Sequence, residues 1–359
     1  MTRHVFLGGL LLAVLFLVLA VFATSRAGAR SGWQQKVDEW VLDTVASDGE
    51  VSYLVVLEDQ AVLSGMDAGL SKLEKGELVY ARLTAVARRT QPAVIASLEQ
   101  AGAKYRPYWI SNMIWVRSDG ALVENLARRS DVAHIYANPW TELEALGEPL
   151  VLPESTELAT DEWNLELINA PSVWDAGVTG QGAVIGGQDT GYDWQHPALL
   201  AQYRGWNGQM ADHSYSWHDA IHEDNPFTAP GNPCGYDLAA PCDDRGHGTH
   251  TMGIMAGSDG ADNVIGVAPG ARWIGCRNME EGWGTPASYA ECYEWFVAPY
   301  PQGGDPFEDG NPAFAPHVIN NSWSCPPAEG CTDPDILRAV VENVRAAGIL
   351  TAHSAGNNG

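Results

Sequence analysis

Three apolar segments, each running directly into small polar residues, place the strongest constraint on how this chain can fold. Residues 183–187 read Ala-Val-Ile-Gly-Gly, residues 316–319 read Pro-His-Val-Ile, and residues 348–352 read Gly-Ile-Leu-Thr-Ala. A helix with an apolar stripe is predicted between the last two segments, over Asp335–Ala347. Strand, helix and strand at this spacing predict a right-handed parallel crossover, and therefore an α/β fold with a parallel sheet.

The first of these strands ends in a carboxylate, Asp189, which Thr190 and Gly191 follow. In open α/β sheets, functional groups lie just beyond the carboxyl ends of the strands, so Asp189 is a candidate catalytic residue. The alternative is an Asx-type turn without chemistry, because Asp-x-Gly is common in loops.

The second candidate is a histidine held between two glycines, in the segment RGHGTHTMGIMAG, residues 245–257. Glycines on both sides of His247 suit the start of a small-residue helix that another group approaches closely. We expect His247 to be reactive and His250 to satisfy a structural hydrogen bond. A metal site on this His-x-x-His pair is a weaker alternative, because the carboxylate of the His-Glu-x-x-His motif is missing.

Four segments, taken in order, resemble the subtilisin-like serine proteases, the subtilases. They are AVIGGQDTGYDWQHPAL, RGHGTHTMGIMAG, VINNSWS and SAGNNG, and the resemblance covers residues 163–359. It implies a three-layer subtilisin-like α/β fold with a parallel sheet. Longer stretches such as WHDAI and GTPASYAECYEWF look most like the bacillopeptidase F-like group of that family.

The resemblance also implies a role for individual residues. Asp189 aligns with the acid of an Asp-His-Ser triad and His247, the first histidine of its motif, aligns with the base. The strand that lines the specificity pocket would contribute the substrate contacts Ser322, Trp323 and Ser324. Asn357 would donate to the oxyanion hole.

A smaller unit is predicted ahead of the peptidase part. Its elements are a strand at Val51–Leu57, a helix at Leu70–Gln100 in two pieces broken near Pro92, one or two strands at Tyr105–Val116, a helix at Ala121–Arg129 and a strand at Val132–Tyr136. The order β-α-β-β-α-β is that of a ferredoxin-like α+β sandwich. The resemblance implies that residues 45–140 are a propeptide that assists folding and inhibits the enzyme. Residues 141–162, rich in Glu and Pro, are predicted to be an exposed, protease-accessible linker.

The amino terminus predicts export. No charged residue interrupts residues 5–23, and the triplet Ala-Gly-Ala follows at residues 27–29. We interpret residues 1–30 as a cleaved signal peptide, with a retained membrane anchor as the alternative. In either case the rest of the chain lies outside the cytoplasm, where six cysteines predict three disulfides. Sequence does not fix the pairing; the simplest expectation joins neighbours, namely Cys234 with Cys242, Cys276 with Cys292 and Cys325 with Cys331.

Charge excludes one class of partner. The chain has a net charge of −25, and residues 161–359 contain 26 acidic residues against six arginines and no lysine. A nucleic-acid binder needs basic residues to neutralise phosphates, so we expect protein or peptide substrates and no nucleic acid. A membrane would be contacted only through an uncleaved amino-terminal segment.

A long insert, Tyr203–Asp243, contains His213, His218 and His222. We interpret it as a polar wall of the substrate cleft with surface histidines. The alternative is a metal-dependent hydrolase built on these three residues and His250, since His218 and His222 would share one face of a helix. No cofactor is expected to be required; the resemblance allows a structural Ca²⁺, whose ligands the sequence does not identify.

The nucleophile of the family lies in a Gly-Thr-Ser-Met-Ala-type motif, which does not occur in these 359 residues. Ser258, Ser322 and Ser354 lack its context. We therefore expect the serine to lie beyond residue 359, and these residues alone to hydrolyse no peptide. The sequence predicts a secreted, zymogen-type serine endopeptidase; the alternative is a non-catalytic protein of the same fold that holds peptides in its cleft.

Overall fold

The structure is a computed structural model that describes residues 32–143, 162–260, 264–333 and 335–357. The predicted export segment, residues 1–30, and most of the predicted linker, residues 144–161, lie outside the described residues.

The amino-terminal unit is a four-stranded antiparallel sheet covered by helices. Its elements are α1 (Glu39–Asp48), β1 (Glu50–Leu57), α2 (Lys72–Ala101), β2 (Lys104–Tyr108), β3 (Met113–Asp119), α3 (Gly120–Ala127) and β4 (Val132–Ala137). The strands lie in the order β2-β3-β1-β4. The structure thus has the predicted β-α-β-β-α-β order after α1, and the segment Tyr105–Val116 forms two strands, β2 and β3, that turn at residues 109–112. Trp33, Val37 and Val41 pack in its core, so the unit begins before residue 45.

The prediction that Pro92 breaks the long helix is wrong, because α2 runs without interruption through this residue. A proline inside a helix removes one backbone hydrogen bond and costs about 3 kcal/mol. Apolar side chains on both sides of Pro92 are fully buried, including Val79 and Leu83 before it and Val94 after it. The burial of this continuous stripe offsets the local cost, at roughly 1.5–3 kcal/mol for each large side chain.

The second unit contains a five-stranded sheet with all strands parallel, which confirms the predicted fold class. The end of the amino-terminal unit contributes β5 (Thr141–Glu142). The second unit's own elements are α4 (Trp163–Leu167), α5 (Ala170–Asp175), β6 (Val184–Asp189), α6 (Pro197–Leu200), β7 (Trp217–Asp219), α7 (His247–Ala256), β8 (Arg272–Arg277), β9 (Met279–Glu280), β10 (Trp283–Gly284), α8 (Pro286–Val297), β11 (Val318–Asn321), α9 (Arg338–Ala346) and β12 (Leu350–His353). The order in the sheet is β12-β11-β6-β8-β7, which places β6 at its centre.

Two glycines of β6 let helices approach both faces of the sheet. A Cβ at Gly186 would lie 2.9 Å from the ring of Phe296 on α8, and a Cβ at Gly187 would lie 2.8 Å from the methyl of Met252 on α7. Since side chains alternate along a strand, even-numbered residues of β6 face α8 and odd-numbered residues face α7. Asp189 therefore points to the α7 side and Gln188 to the α8 side.

The amino-terminal unit packs on the α8 side of the second unit. The buried carboxylate of Glu294 on α8 accepts hydrogen bonds from the backbone N–H groups of Trp109 and Ile110, in the turn between β2 and β3. Asn343 on α9 donates to the carbonyl of Ile110 at 2.6 Å. The helices that cover one face of the parallel sheet thus also hold the antiparallel unit.

Residues 141–143 correct the prediction of an exposed linker from Thr141 onward. They enter the second unit, where β5 pairs antiparallel with β10, which in turn pairs with β9. Thr141 and Leu143 are buried. The Glu- and Pro-rich composition concealed this pairing, because a two-residue strand has too little periodicity to be recognised.

The three neighbouring cysteine pairs are bridged in the structure, as the simplest expectation had it. Cys234–Cys242 closes the end of the insert just before α7, and Cys276–Cys292 ties β8 to α8. None of the helices in the described ranges combines the length and apolar character that crossing a bilayer requires.

Candidate active site

Asp189 and His247 meet at the carboxyl end of β6. The carboxylate Oδ1 of Asp189 lies 2.7 Å from Nδ1 of His247, the first residue of α7. The Asp189 side chain is 1% exposed and that of His247 is 12% exposed. Burial by itself lowers the pKa of His247, but the hydrogen bond and charge of Asp189, with Asp243 behind it, raise that pKa above its ordinary value. Asp189 also makes a local turn contact, because its Oδ1 accepts from the N–H of Thr190. This contact accompanies the bond to His247 and does not replace it.

Gly248 explains why a glycine follows the histidine. A Cβ at this position would lie 2.1 Å from the carbonyl oxygen of Gly191 and 3.0 Å from Cβ of Asp189. Gly246, the other flanking glycine, has a φ of +82°, a left-handed conformation that suits glycine. The two glycines thus bring the start of α7 against the end of β6.

Asp243 is a site residue that the sequence analysis missed. Its carboxylate accepts from the hydroxyl of Thr190 at 2.8 Å, from the N–H of Gly246 at 2.7 Å and from the N–H of Thr249 at 2.9 Å. It therefore joins the residue after Asp189 to the first turn of α7. An Asp four residues before His247, at a helix start, is a capping signal that could have identified it.

The other predicted site residues surround one cleft of about 200 Å³. Ser322, Trp323, Ser324 and Asn357 line this cleft together with His247. The ring of Trp323 stacks on Tyr289 with 3.8 Å between ring centroids. The structure therefore brings together all six residues singled out from the sequence, five of them around the cleft and Asp189 behind His247.

Leu143 lines the same cleft. It is 7% exposed and packs in a cluster with Met279 and Tyr289, against which Trp323 and Leu337 also pack. Its N–H donates to the carbonyl of Gly282 at 2.7 Å. A segment of the chain itself thus lies, in extended conformation, along one side of the cleft that contains His247.

The four histidines of the metal-hydrolase interpretation, all among the described residues, do not come together at one site, which contradicts that interpretation. His213 bonds to Tyr203, and His218 lies on strand β7 rather than on a helix. His250 is exposed, lines the cleft that contains His247 and makes no structural helix–sheet bond of the kind expected. Nor are His218 and His222 surface groups of a cleft wall, since their side chains are 14% and 22% exposed.

Glu291 on α8 explains the burial of these two histidines. Its Oε1 lies 3.0 Å from Nε2 of His218 and 3.1 Å from Nε2 of His222. Its Oε2 accepts from Tyr108 at 2.9 Å and from Arg106 at 3.3 Å, both in the amino-terminal unit. Burial alone would raise the pKa of Glu291, but the charges of Arg106 and His222 hold it well below its usual range.

One group of the described residues has ligand atoms close enough for a metal ion, namely Asp38, His134 and Asp333. Asp38 is already occupied, because it bonds to His134 at 2.8 Å and accepts from the N–H of Ala137 at 2.9 Å. An ordinary carboxylate–imidazole pair accounts for this group.

The aromatic residues near the cleft divide by position. Trp295, Phe296, Tyr289 and Tyr293 are fully buried in the core. Trp283 belongs to β10 and stacks on Phe227 of the insert at 4.3 Å.

Comparison with known proteins supports one family. The sequence model described as the subtilase family matches residues 180–359. The chain is 32% identical over 305 residues to Bacillopeptidase F of Bacillus subtilis, an alignment that covers 81% of this chain. It is 26% identical over 198 residues to Subtilisin BL of Lederbergia lenta, covering 55% of this chain.

Solved structures agree on the fold. The epidermin leader peptide processing serine protease EpiP of Staphylococcus aureus superposes with a TM-score of 0.56 at 16% identity, over 86% of this chain and 62% of that one. At this identity the likeness concerns the fold alone. The chain spans about a fifth of the length of Bacillopeptidase F and 56% of Subtilisin BL.

Proposed function

Because the chain belongs to the subtilase family, we propose that it carries the acid, base and oxyanion groups of a secreted, zymogen-type serine endopeptidase. The nucleophilic serine of this enzyme lies beyond residue 359. The contact of 2.7 Å between Asp189 and His247, beside a cleft that Asn357 also lines, is the observation that carries the proposal. Its substrates are proteins and peptides.

The reaction follows from this geometry. Nδ1–H of His247 donates to Asp189, which leaves Nε2 free to accept the proton of the serine hydroxyl as its oxygen attacks the peptide carbonyl carbon. The side-chain amide of Asn357 donates to the oxyanion that forms. The imidazolium then gives its proton to the departing amine as the C–N bond breaks, and water hydrolyses the acyl-serine by the same route.

The raised pKa of His247 fits a general base. Asp189 stabilises the charged imidazole, so the transferred proton stays on His247 until the amine leaves. Substrate residues would pack against Ser322, Trp323 and Ser324 along the cleft. No cofactor takes part in this chemistry, and any calcium would be structural.

We propose further that the amino-terminal unit inhibits the peptidase until it is cut off in residues 144–161. Three contacts support this: β5 adds a strand to β10, Leu143 lines the cleft that contains His247, and Glu294 holds the turn between β2 and β3. A peptide substrate would pair with the same edge of β10, so the unit and the substrate compete for one site.

The test uses the complete protein, produced from its whole coding sequence with residues 1–30 at its start. We expect peptide hydrolysis that a phenylmethylsulfonyl reagent abolishes and a chelator does not. A His247→Ala variant should lose that hydrolysis and accumulate as uncut precursor, whereas the His196→Ala control, at an exposed histidine outside the cleft, should keep it. Peptide binding without hydrolysis would favour the non-catalytic alternative, and loss of activity with chelator alone would favour a metal hydrolase.

Export is tested separately. Amino-terminal sequencing of the uncut His247→Ala precursor from the culture medium should begin after residue 29 if the segment is a cleaved signal peptide. A protein that stays with the membrane fraction and retains residue 1 would support the anchor.

A further inference from the structure

Three buried side-chain amides form a directional chain of hydrogen bonds across the sheet. The amide NH₂ of Asn278 donates to the side-chain oxygen of Gln188 at 3.0 Å. The NH₂ of Gln188 donates to the side-chain oxygen of Asn321 at 2.5 Å, and the NH₂ of Asn321 donates to the carbonyl of Ala352 at 2.8 Å. All three amide side chains belong to residues with no exposed surface. The chain connects the ends of four parallel strands, β8, β6, β11 and β12.

Each amide stands next to a residue of the candidate active site. Gln188 immediately precedes Asp189, and Asn321 immediately precedes Ser322. Asn278 also bonds to Asp189 directly, because the backbone N–H of Asn278 donates to the Asp189 carbonyl at 3.0 Å. Ala352 belongs to the strand that leads to Asn357.

The proposed reaction does not use these amides. Gln188 faces α8 whereas Asp189 faces α7, so the Gln188 side chain does not touch His247. A buried amide costs free energy to remove from water unless it is fully paired, and an apolar residue would fill the position at lower cost. Its presence under the site therefore requires an explanation.

The position of strand β11 suggests why the amide of Gln188 is present. Its ladder with β6 ends where Asn321 faces Gln188, and Ser322–Ser324 continue beyond the paired strand. The bond from Gln188 to Asn321 is thus the last tie between the two strands before the substrate-contacting residues begin. Because Gln188 and Asn321 each accept one of these bonds and donate the next in the same direction, the bonds polarise one another and fix the orientation of the two amides.

We propose, on the basis of the proposed peptidase function, that Gln188 is a positioning residue for catalysis. It sets the distance between the Asp189–His247 pair and the substrate-contacting residues Ser322–Ser324 through the amide of Asn321. Loss of the amide leaves the fold in place and lets the bound peptide shift relative to His247. Small misplacements of this kind reduce turnover more than they reduce binding.

The test compares variants of the complete protein, with kcat expressed per active site titrated by a serine-directed inhibitor. Gln188→Met keeps the length of the side chain and removes both hydrogen bonds. Gln202→Met is the matched control, because Gln202 is also buried and donates to the carbonyl of Ser258. We expect kcat of Gln188→Met to fall on the order of 10- to 100-fold with KM changed by less than about threefold. Gln202→Met should lower the melting temperature comparably and leave kcat unchanged.

Gln188→Glu supplies a second readout that a purely structural role would not move. A protonated Glu has the shape and the donor–acceptor pattern of Gln, whereas a charged Glu cannot donate to Asn321. Burial raises the pKa of a Glu, up to about 8–9 in apolar sites. The ratio of its kcat to that of the wild type should therefore rise as the pH falls through this raised pKa, while the ratio for Gln188→Met stays constant.

The outcomes separate the two proposals. A wild-type protein that titrates no active serine would overturn the proposed function. Wild-type turnover per titrated site in Gln188→Met, or a pH-independent ratio in Gln188→Glu, would overturn the positioning role and leave the peptidase function intact. If Gln188→Met fails to fold, the pH-dependent ratio of Gln188→Glu decides alone.

Discussion

The carboxylate of Glu294 accepts a hydrogen bond of 2.6 Å from the backbone N–H of Trp109, 185 residues earlier in the chain. A second bond of 2.9 Å comes from the N–H of Ile110. One buried side chain on α8 thus satisfies two backbone donors of the β2–β3 turn, which would otherwise be buried without partners when the two units meet.

Replacing Glu294 should loosen the junction between the units. In Glu294→Ala, two buried N–H groups lose their acceptor, at about 1–3 kcal/mol each. We expect the amides of Trp109 and Ile110 to exchange hydrogen at least tenfold faster in hydrogen-exchange measurements. Glu308→Ala is the control, since the Glu308–Arg88 ion pair is exposed and contributes at most about 1 kcal/mol. Unchanged protection of the turn in Glu294→Ala would contradict this assignment.

Shortening Leu143 should weaken the hold of the amino-terminal unit on the cleft. Burying a leucine contributes about 1.5–3 kcal/mol, of which Leu143→Ala would lose the larger part. In the complete protein we expect precursor maturation to accelerate. When the separate amino-terminal unit is added to the mature peptidase, its inhibition constant should rise about 10-fold or more. Val62→Ala, a substitution of an exposed side chain in the same unit, should change neither. Equal inhibition by the Leu143→Ala and wild-type units would show that Leu143 does not contribute.

Removing the charge of Asp243 should shift the titration of His247. The negative charge of Asp243 helps to raise the pKa of His247, so Asp243→Asn should lower that pKa. The neutral imidazole is the base, and it would then persist to lower pH. The acid limb of the kcat/KM profile should move to lower pH, and NMR titration of the His247 ring in an inactive protein should show the same direction.

A second aspartate variant, Asp193→Asn, is the control for the pH shift expected in Asp243→Asn. Asp193→Asn alters an exposed carboxylate that does not contribute to the pKa of His247, so its profile should match the wild type. An acid limb that moves to higher pH in Asp243→Asn would contradict the electrostatic argument.

Two glycines of one helix should respond oppositely to alanine. Gly248→Ala places a Cβ 2.1 Å from the Gly191 carbonyl oxygen, so backbone must move and stability should fall by about 1–3 kcal/mol or more. Gly253→Ala meets no atom closer than 3.6 Å and should stabilise the helix by up to about 1 kcal/mol. Urea unfolding followed by tryptophan fluorescence measures both. Equal effects at the two positions would refute the close contact of α7 with the turn after β6.

Much of the fold could be predicted because its signals are local. The apolar run ending at Asp189 gave the central strand, and the stripe of Val340 and Val344 gave the last helix, although α9 begins at Arg338 rather than Asp335. The β-α-β-β-α-β order of the amino-terminal unit followed in the same way. The break predicted at Pro92 was wrong although the proline does cost helix stability. The apolar side chains buried on both sides of it offset this cost, and their burial is visible only in the tertiary structure.

The candidate site was predicted in part for a different reason. The segments around Asp189, His247 and Asn357 carry a motif set that is specific in combination, so those residues could be named. Asp243 was missed because a capping carboxylate looks like any surface aspartate until the groups that it joins, Thr190 and Thr249, are seen on both sides of it.

The sequence by itself determined the main strands and helices and the family, and it singled out Asp189 and His247, because periodicity, turn chemistry and motifs act over a few neighbouring residues. Only the tertiary structure decided the rest. It packed His218 and His222 against Glu291, placed Leu143 along the wall of the cleft and aligned Asn278, Gln188 and Asn321 into one chain of amides. Burial, charge and hydrogen bonding at these positions depend on segments tens to nearly two hundred residues apart, and their approach is fixed by packing rather than by local sequence.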